Sequence, residues 1–193
     1  MGRVLEPEVM EGDDEDVAYD EFDRIWGEII FQGFVESALR MGVSCGRVLD
    51  VGTGSGRLAI RLAKLNSELE IVGIDLSDSM LKLAGRNAAR EGVSTVTFLK
   101  ADAKCLPFET NSVDMVISHQ FLHQLAEPAI ALREINRVAR RDGAILVRDV
   151  RRLAEPFMSL VLPICVCRYS PRLRALATDS FRAGFTAAKL ADA

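Results

Sequence analysis

Three carboxylates follow three apolar runs of this sequence, and the first of them stands at the start of a glycine-rich loop. Asp50 precedes the loop 52–56, Asp75 ends the second run, and Asp102 follows the third. Glycine allows a sharp turn and lets a ligand approach the backbone. A helix that begins after such a loop offers free amide groups and the positive end of its dipole. The three positions therefore indicate a site for a ligand with several polar parts.

The glycine loop alone leaves two ligands open. The spacing of its glycines with Ala59 fits a loose dinucleotide fingerprint, and Asp75 lies at the distance in sequence of a ribose contact. However, the Asp50 carboxylate would repel a pyrophosphate and attract the ammonium group of an amino acid, and Asp102 can accept a hydrogen bond from an adenine amino group. An amino acid, a ribose and an adenine match S-adenosylmethionine better than NAD. An NAD-binding Rossmann oxidoreductase stays the alternative on the loop alone.

Short apolar runs rich in branched residues alternate with amphipathic stretches. Such runs are typical of strands that are buried on both faces of a parallel sheet. The predicted strands are Arg47–Val51, Ile71–Asp75, Val96–Lys100, Val113–Ser118 and Ala144–Asp149. Their alternation with helices predicts an α/β fold, a Rossmann-like doubly wound, mostly parallel sheet with helices on both faces. In such a sheet, ligands bind beyond the carboxyl ends of the strands, where the three carboxylates stand.

Local signals place the helices between these strands. Ser77 is suited to cap a helix that Gly92 ends. Pro128 is tolerated in the first turn of another helix, and Gly143 is predicted to close it. A further helical pattern extends from Tyr19 to Met41.

The ordered motifs resemble those of class I S-adenosylmethionine-dependent methyltransferases with a type 11-like domain. The segments that carry the resemblance are Val48–Gly56, Gly73–Ser77, Ala101–Ala103, Leu106–Phe108, Asn111–Asp114, Leu132–Val138 and Asp142-Gly143. The resemblance implies S-adenosyl-L-methionine as cofactor, S-adenosyl-L-homocysteine as product and in-line transfer of a methyl group to an acceptor, expected to be a small molecule. The residues that it implies for cofactor binding are Asp50, Gly52, Thr53, Gly54, Gly56, Asp75, Leu76, Met80, Asp102, Ala103 and His119.

Two of these residues also have a simpler structural interpretation. Met80, at the position that the family often lays on adenine, could be an ordinary core residue. Asp102 could form a turn before Lys104.

The only two histidines of the chain follow the fourth predicted strand. His119 comes directly after it and is expected to border the methionine end of the cofactor, where it is the candidate general base. The alternative is a neutral histidine that hydrogen-bonds the cofactor or a backbone group. His123, four residues on, is a candidate substrate contact within a helix.

In this family the acceptor is usually covered by the N-terminal segment. Tyr19 and Trp26 are the expected substrate contacts there, together with Phe22, although the helical spacing of the aromatic residues also suits simple packing. After Val150 the antiparallel strands that finish the family's sheet are expected to be shortened or missing. A bare sheet edge invites pairing, so a homodimer through this region is a hypothesis. An incomplete acceptor site would instead leave a cofactor-binding protein with little or no activity.

The 193 residues suit one domain with attached segments. We predict an acidic N-terminal tail over 1–18 and a methyltransferase domain with an N-terminal helical lid over 19–150. Residues 151–193 are predicted to form a helical or irregular extension of the same domain.

Composition and charge disfavour several classes. The net charge of −4 does not favour binding of a polyanion. The arginines of 133–174 are interleaved with apolar residues such as Leu153, so an RNA-modifying enzyme is disfavoured. No signal peptide and no apolar run of about 20 residues is visible. The four scattered cysteines do not suit a disulfide framework. A cytoplasmic protein without membrane contact or bound metal is therefore expected.

Overall fold

Five strands form a single parallel sheet in a computed structural model that describes residues 5, 20, 27, 30–152 and 171–186. The strands are β1 (Gly46–Val51), β2 (Leu69–Asp75), β3 (Val96–Lys100), β4 (Val113–His119) and β5 (Ala139–Arg148). Their order across the sheet is β3-β2-β1-β4-β5, and each neighbouring pair is parallel. The order reverses between β1 and β4, which is where a doubly wound sheet opens a crevice for a ligand. The predicted fold class is confirmed.

Helices flank this sheet. They are α1 (30–40), α2 (Arg57–Leu65), α3 (Asp78–Arg90), α4 (Pro128–Val138) and α5 (Pro171–Ala183), with a 3₁₀ turn over Leu122–Gln124. The Ser77 hydroxyl caps α3 by accepting a hydrogen bond from the Met80 amide at 3.2 Å. Gly92 follows α3 with a φ of 67°, and Pro128 occupies the first turn of α4. These three sequence signals are confirmed.

The N-terminal helical pattern is only partly within the described residues. The part over 30–40 is helical, as predicted. Tyr19, Phe22 and Trp26 lie outside the described residues, so their assignment as lid or substrate contacts stays a prediction.

The end of α4 differs from the prediction. Gly143 does not close the helix, because α4 ends at Val138 and β5 already begins at Ala139. Val113 pairs with Ala139, whereas Met115 pairs with Ala144, so the ladder contains a register shift. The intervening residues 140–143 bulge against β4. A glycine after a helical pattern usually indicates the end of the helix, so the sequence does not reveal this bulge.

The sheet buries apolar side chains on both of its faces. Along β1, Val48 packs with α1 and α2 on one face, while Leu49 packs with α4 on the other. The same alternation holds along β4, where Met115 and Ile117 share the face of Val48. The next residue of that face is His119, so the strand period alone directs this side chain toward α1.

The chain continues past β5 without a further strand of the sheet among the described residues. Arg151 forms a single parallel bridge with Phe185, and the backbone groups of Arg152 and Val150 bond those of Phe185 at 2.9 and 3.2 Å. The shortened C-terminal sheet is as predicted within these limits. Dimerisation through this region and the proposed domain boundaries stay predictions. Within the described residues, no helix has the length and apolar character to cross a membrane.

The bulge generates a stability prediction at Gly143. An added Cβ would lie 2.7 Å from the carbonyl oxygen of Asp114 and 3.1 Å from that of Arg140, and backbone cannot move aside as a flexible side chain can. Gly143→Ala is expected to lower the free energy of unfolding by about 1–3 kcal/mol, the usual cost of overpacking. Urea denaturation measures this loss.

Gly85 is the matched control, because it lies exposed in α3 with no atom within 4 Å of an added Cβ. Gly85→Ala is expected to stabilise the chain by about 0.5–1 kcal/mol through helix propensity. A Gly143→Ala variant as stable as the wild type would contradict the bulge geometry.

Candidate functional site

The glycine-rich loop 52–56 connects the end of β1 to the start of α2. The amides of Gly52 and Thr53 both donate hydrogen bonds to the carbonyl oxygen of Ile74, at 3.0 and 2.9 Å, which ties the loop to β2. Gly52 has a φ of 74°, and an added Cβ would lie 2.3 Å from the ring of Phe121. Glycine therefore allows the segment after β4 to lie directly against the loop after β1.

Asp75, at the end of β2, fixes this loop and the next helix. Its Oδ2 accepts a hydrogen bond from the Gly54 amide at 2.9 Å, and its Oδ1 accepts one from the Ser77 amide at 3.0 Å. Each carboxylate oxygen has more than one lone pair. The side chain can therefore keep both backbone bonds while it accepts hydrogen bonds from ribose hydroxyls, the contact that the sequence predicts.

Asp50 lies in β1, two residues before the loop, and is buried with 1% of its surface exposed. The Thr53 hydroxyl donates to its Oδ2 at 2.7 Å, but within the described part of the chain its buried Oδ1 has no hydrogen-bond partner. Burial, with a smaller contribution from the charge of Asp75, raises the pKa of Asp50 to about 7, although the Thr53 hydrogen bond opposes this. The site thus contains an unpaired carboxylate oxygen whose ionised form is costly unless a cation approaches.

A pocket beyond the carboxyl ends of β1 to β4 brings the predicted residues together. All predicted cofactor residues except Gly56 line it: Asp50, Gly52, Thr53, Gly54, Asp75, Leu76, Met80, Asp102, Ala103 and His119. Gly56 lies beside the pocket, where an added Cβ would meet Phe98 at 2.7 Å and Ala84 at 2.8 Å. Glycine therefore allows α2 to pack closely here, and the predicted contact of Gly56 with a cofactor is not supported by the pocket lining. The contact of the other residues with a cofactor stays a prediction.

The two residues with alternative interpretations serve both purposes. Asp102 lines the pocket, and its Oδ1 also accepts a hydrogen bond from the Lys104 amide at 2.8 Å, as a turn-forming aspartate would. Met80 is 4% exposed, yet it also contributes to the pocket wall. Neither structural role removes the residue from reach of an adenine ring.

His119 lines the pocket at the end of β4 and is 9% exposed. Its Nε2 lies 2.6 Å from Nη2 of Arg148, at the end of the adjacent strand β5. Burial, reinforced by the charge of Arg148, lowers the pKa of His119 to about 3. This geometry favours the neutral histidine of the alternative interpretation over the predicted general base, because the Arg148 guanidinium occupies the lone pair of Nε2. A guanidinium has only donors, so it also cannot accept a proton from the ring.

His123 lies in the 3₁₀ turn and does not line the pocket. Its Nδ1 lies 2.6 Å from Oδ1 of Asp149, and its amide donates to Oδ2 of the same residue at 3.1 Å. Both side chains are almost fully buried. The pair connects the turn after β4 to the residue after β5, and the predicted substrate contact by His123 gains no support from this position.

A clasp formed by Asp20, Arg57 and Asn87 lies over the start of α2. The Asp20 Oδ1 accepts hydrogen bonds from Nε of Arg57 at 2.8 Å and from Nδ2 of Asn87 at 3.1 Å. The same Asn87 nitrogen donates to the Ser55 carbonyl at 2.9 Å, and Arg57 lines the pocket. Asp20 is therefore linked to the glycine-rich loop through Arg57 and Asn87.

Sequence reasoning missed Arg148, Arg57 and Gln120. Gln120, which lines the pocket, has a φ of 54°, a backbone conformation that few residues other than glycine adopt. The rule that ligands bind beyond the ends of parallel strands could have found Arg148, since it ends β5. No signal in the sequence marks Gln120 as left-handed.

The comparisons with known proteins agree with this geometry. A family model described as a methyltransferase domain matches residues 43–170. A demethylmenaquinone methyltransferase of Roseiflexus castenholzii is 33% identical over 148 residues, which cover 74% of this chain and 59% of that protein. The structure of an S-adenosylmethionine-dependent methyltransferase from Aquifex aeolicus superposes with a TM-score of 0.63 at 26% identity, covering 75% of this chain and 77% of the other.

One similar structure has a different activity in its name. The [4+2]-cyclase SpnF is 28% identical, with a TM-score of 0.63, and the match covers 80% of this chain and 64% of the cyclase. The chain spans about three fifths of the length of the curated relatives it matches.

The raised pKa of Asp50 generates a prediction about stability and pH. Because the folded chain holds this proton more tightly than the unfolded chain, stability falls as the pH rises from about 4 through 7. Asp50→Asn cannot ionise, so we expect it to raise the free energy of unfolding at pH 8 by on the order of 2 kcal/mol, and by less at pH 6. Urea denaturation of the ligand-free chain at both pH values measures the difference.

Asp142→Asn provides the control, because the Asp142 side chain is 84% exposed. It is expected to change stability equally little at the two pH values. An Asp50→Asn effect that is independent of pH would contradict the raised pKa.

Proposed function

Because the chain belongs to the class I S-adenosylmethionine-dependent methyltransferase family, we propose that it binds S-adenosylmethionine in the pocket beyond β1 to β4 and transfers the methyl group to a small organic acceptor. The observation that carries this proposal is the buried Oδ1 of Asp50, which has no partner within the described residues. An ammonium group placed there would offset the desolvation of the carboxylate.

The other residues of the pocket fit the remaining parts of this cofactor. Asp75 offers carboxylate lone pairs to ribose hydroxyls beside the loop. Asp102 and Met80, which also line the pocket, offer a hydrogen-bond acceptor and a polarizable side chain to an adenine. A dinucleotide fits less well, because its pyrophosphate would meet the Asp50 carboxylate at the base of the loop.

When bound, the cofactor supplies a methyl group activated by a positively charged sulfur, so the chain's own task is mainly alignment and exclusion of water. Phe31, Phe121 and Leu125 contribute apolar surface to the pocket beside His119. We propose that His119 positions a ligand group rather than removing a proton, because Arg148 occupies its Nε2 and a ring whose pKa is lowered to about 3 is a weak base. An acceptor that needs no strong base fits this site.

The names of the relatives support one class of acceptor. The names of several similar proteins include demethylmenaquinone or ubiquinone and menaquinone biosynthesis, which supports a small aromatic acceptor for this chain. Quinols, the reduced forms of such quinones, are the first class of compound to assay as acceptors. The cytoplasmic location and the homodimer also belong to this proposal.

A second candidate is cofactor binding without methyl transfer. The similarity to the [4+2]-cyclase SpnF favours this second candidate specifically, since that protein shares the fold and is named as a cyclase rather than a methyltransferase. The two functions differ in one observable, the conversion of S-adenosylmethionine to S-adenosylhomocysteine during turnover.

Calorimetric titration tests the cofactor assignment. We expect S-adenosylmethionine and S-adenosylhomocysteine to bind and NAD not to bind. Asp75→Ala should weaken binding by about tenfold to a hundredfold, since it removes charge-assisted hydrogen bonds to the ribose. Asp78→Ala is the matched control, because Asp78 is exposed and its carboxylate pairs with Lys100. Tight binding of NAD with no response to S-adenosylmethionine would refute the proposal.

The pKa of Asp50 makes cofactor affinity depend on pH. An ammonium group binds the ionised carboxylate, so affinity is expected to rise between pH 5.5 and about 7.5 as Asp50 loses its proton. In Asp50→Asn this rise should disappear, together with most of the affinity. Titration of S-adenosylhomocysteine across that pH range measures both. A pH dependence that persists in Asp50→Asn would assign it to another group.

A further inference from the structure

His119 and Arg148 are placed together by the sheet itself. They are direct partners in the register of the parallel strands β4 and β5. Both belong to the face that α1 covers, since Ile117 precedes one and Leu146 the other by one strand period. The contact of 2.6 Å between His119 Nε2 and Arg148 Nη2 is therefore a consequence of the fold and does not depend on a loop.

This contact fixes where the imidazole proton resides. A guanidinium has only donors and stays charged in proteins, so the nitrogen facing it must be an acceptor. Nε2 of His119 therefore carries no proton. In a neutral imidazole the proton then sits on the other nitrogen, so the ring has a donor at Nδ1.

The surroundings hold the ring in this orientation. Phe31 and Phe34 of α1 contact it edge to face, with ring centroids at 5.4 and 5.0 Å. Arg148 is fixed in turn by a hydrogen bond to the Ile30 carbonyl oxygen and by its position over the Phe34 ring. The aromatic contacts provide no strong hydrogen-bond acceptor, and within the described residues no side chain or backbone group bonds Nδ1.

We propose that His119, held as the Nδ1–H tautomer by Arg148, is a hydrogen-bond donor that binds an ionised oxygen of the methyl acceptor. The positive charge of Arg148 behind the ring polarises the imidazole and strengthens the donor. This inference rests on the proposed function, since it assigns a chemical class to the acceptor of that reaction. The class is an enolate or phenolate whose oxygen is conjugated with a nucleophilic carbon.

A donor at this oxygen directs the methyl group to carbon. The hydrogen bond holds the electron pairs of the oxygen and lowers its nucleophilicity, while the conjugated carbon remains able to attack. The π electron pair of that carbon forms the bond to the methyl group, and the pair of the broken carbon–sulfur bond goes to sulfur. The proton of the attacked carbon then leaves to water, so the acceptor recovers its conjugation and the reaction balances without a protein base.

Nitrogen NMR of the imidazole rings tests the tautomer and does not depend on methyl transfer. The chain has only two histidines, so a His123→Asn variant assigns the His119 signals. We expect a protonated Nδ1 and an unprotonated Nε2 from pH 5 to pH 8. A protonated Nε2, or a doubly protonated ring in this range, would overturn the proposal. If the cofactor assignment itself were wrong, the wild-type protein would not bind S-adenosylhomocysteine at all.

Binding of 4-nitrophenol in the presence of S-adenosylhomocysteine tests the donor itself. Because the donor favours the ionised oxygen, the bound phenol should ionise at lower pH than the free compound, which its visible absorbance reports. His119→Leu should weaken this binding by about tenfold and abolish the shift. His119→Asn should restore much of it, since its amide nitrogen can donate from a position near that of Nδ1.

Two outcomes would overturn the assignment to the acceptor. One is a wild-type protein that binds S-adenosylhomocysteine but neither binds nor ionises 4-nitrophenol. The other is a His119→Leu variant that loses affinity for S-adenosylhomocysteine as strongly as for the phenol, because the donor would then serve the cofactor carboxylate. A cofactor affinity within about threefold of the wild type in both His119 variants supports the acceptor assignment.

Discussion

The burial of the Asp50 carboxylate is the constraint on which the rest of the site depends. Strand β1 lies in the centre of the sheet, and Asp50, near the end of this strand, is only 1% exposed. Thr53 partners one of its oxygens, the other has no partner within the described residues, and the residue lines the pocket. The loop that follows must turn sharply to leave this space open, and Asp75 must hold the loop from the adjacent strand. A charge that destabilises the empty chain is thus retained where a cation can bind.

Much of the fold could be predicted because its signals are local and repeated. Strand Val96–Lys100 was predicted to the residue, and the cap at Ser77 follows from one side chain and one amide. The start of β5 could not be predicted, because the bulge over 140–143 depends on the backbone of Asp114 across the sheet. Local patterns contain the period of a strand but not the register in which it meets its neighbour.

The candidate site shows the same division. Asp50, Asp75 and Asp102 could be placed in one pocket from sequence, since the carboxyl ends of parallel strands share one edge of a sheet. The chemical state of His119 could not, because it is set by Arg148, which is 29 residues away in sequence and adjacent only in the sheet. A histidine after a strand suggests a base when considered alone, and its partner changes it into a donor. The predicted substrate contact by His123 gains no support for a similar reason, since His123 pairs with Asp149 in the interior.

The clasp of Asp20, Arg57 and Asn87 has a consequence for the order of events at the pocket. While Asp20 holds Arg57, the guanidinium charge is neutralised beside the loop. Without Asp20, that cation would face a pocket whose proposed ligand carries a positive sulfur, an ammonium group and a carboxylate, and therefore a net positive charge. The net repulsion would then weaken binding of that ligand, so the contact of Asp20 with Arg57 and ligand binding favour each other by linkage. Asp20 therefore acts as a counter-charge beside the pocket, and a bound ligand would in turn strengthen its contact with Arg57.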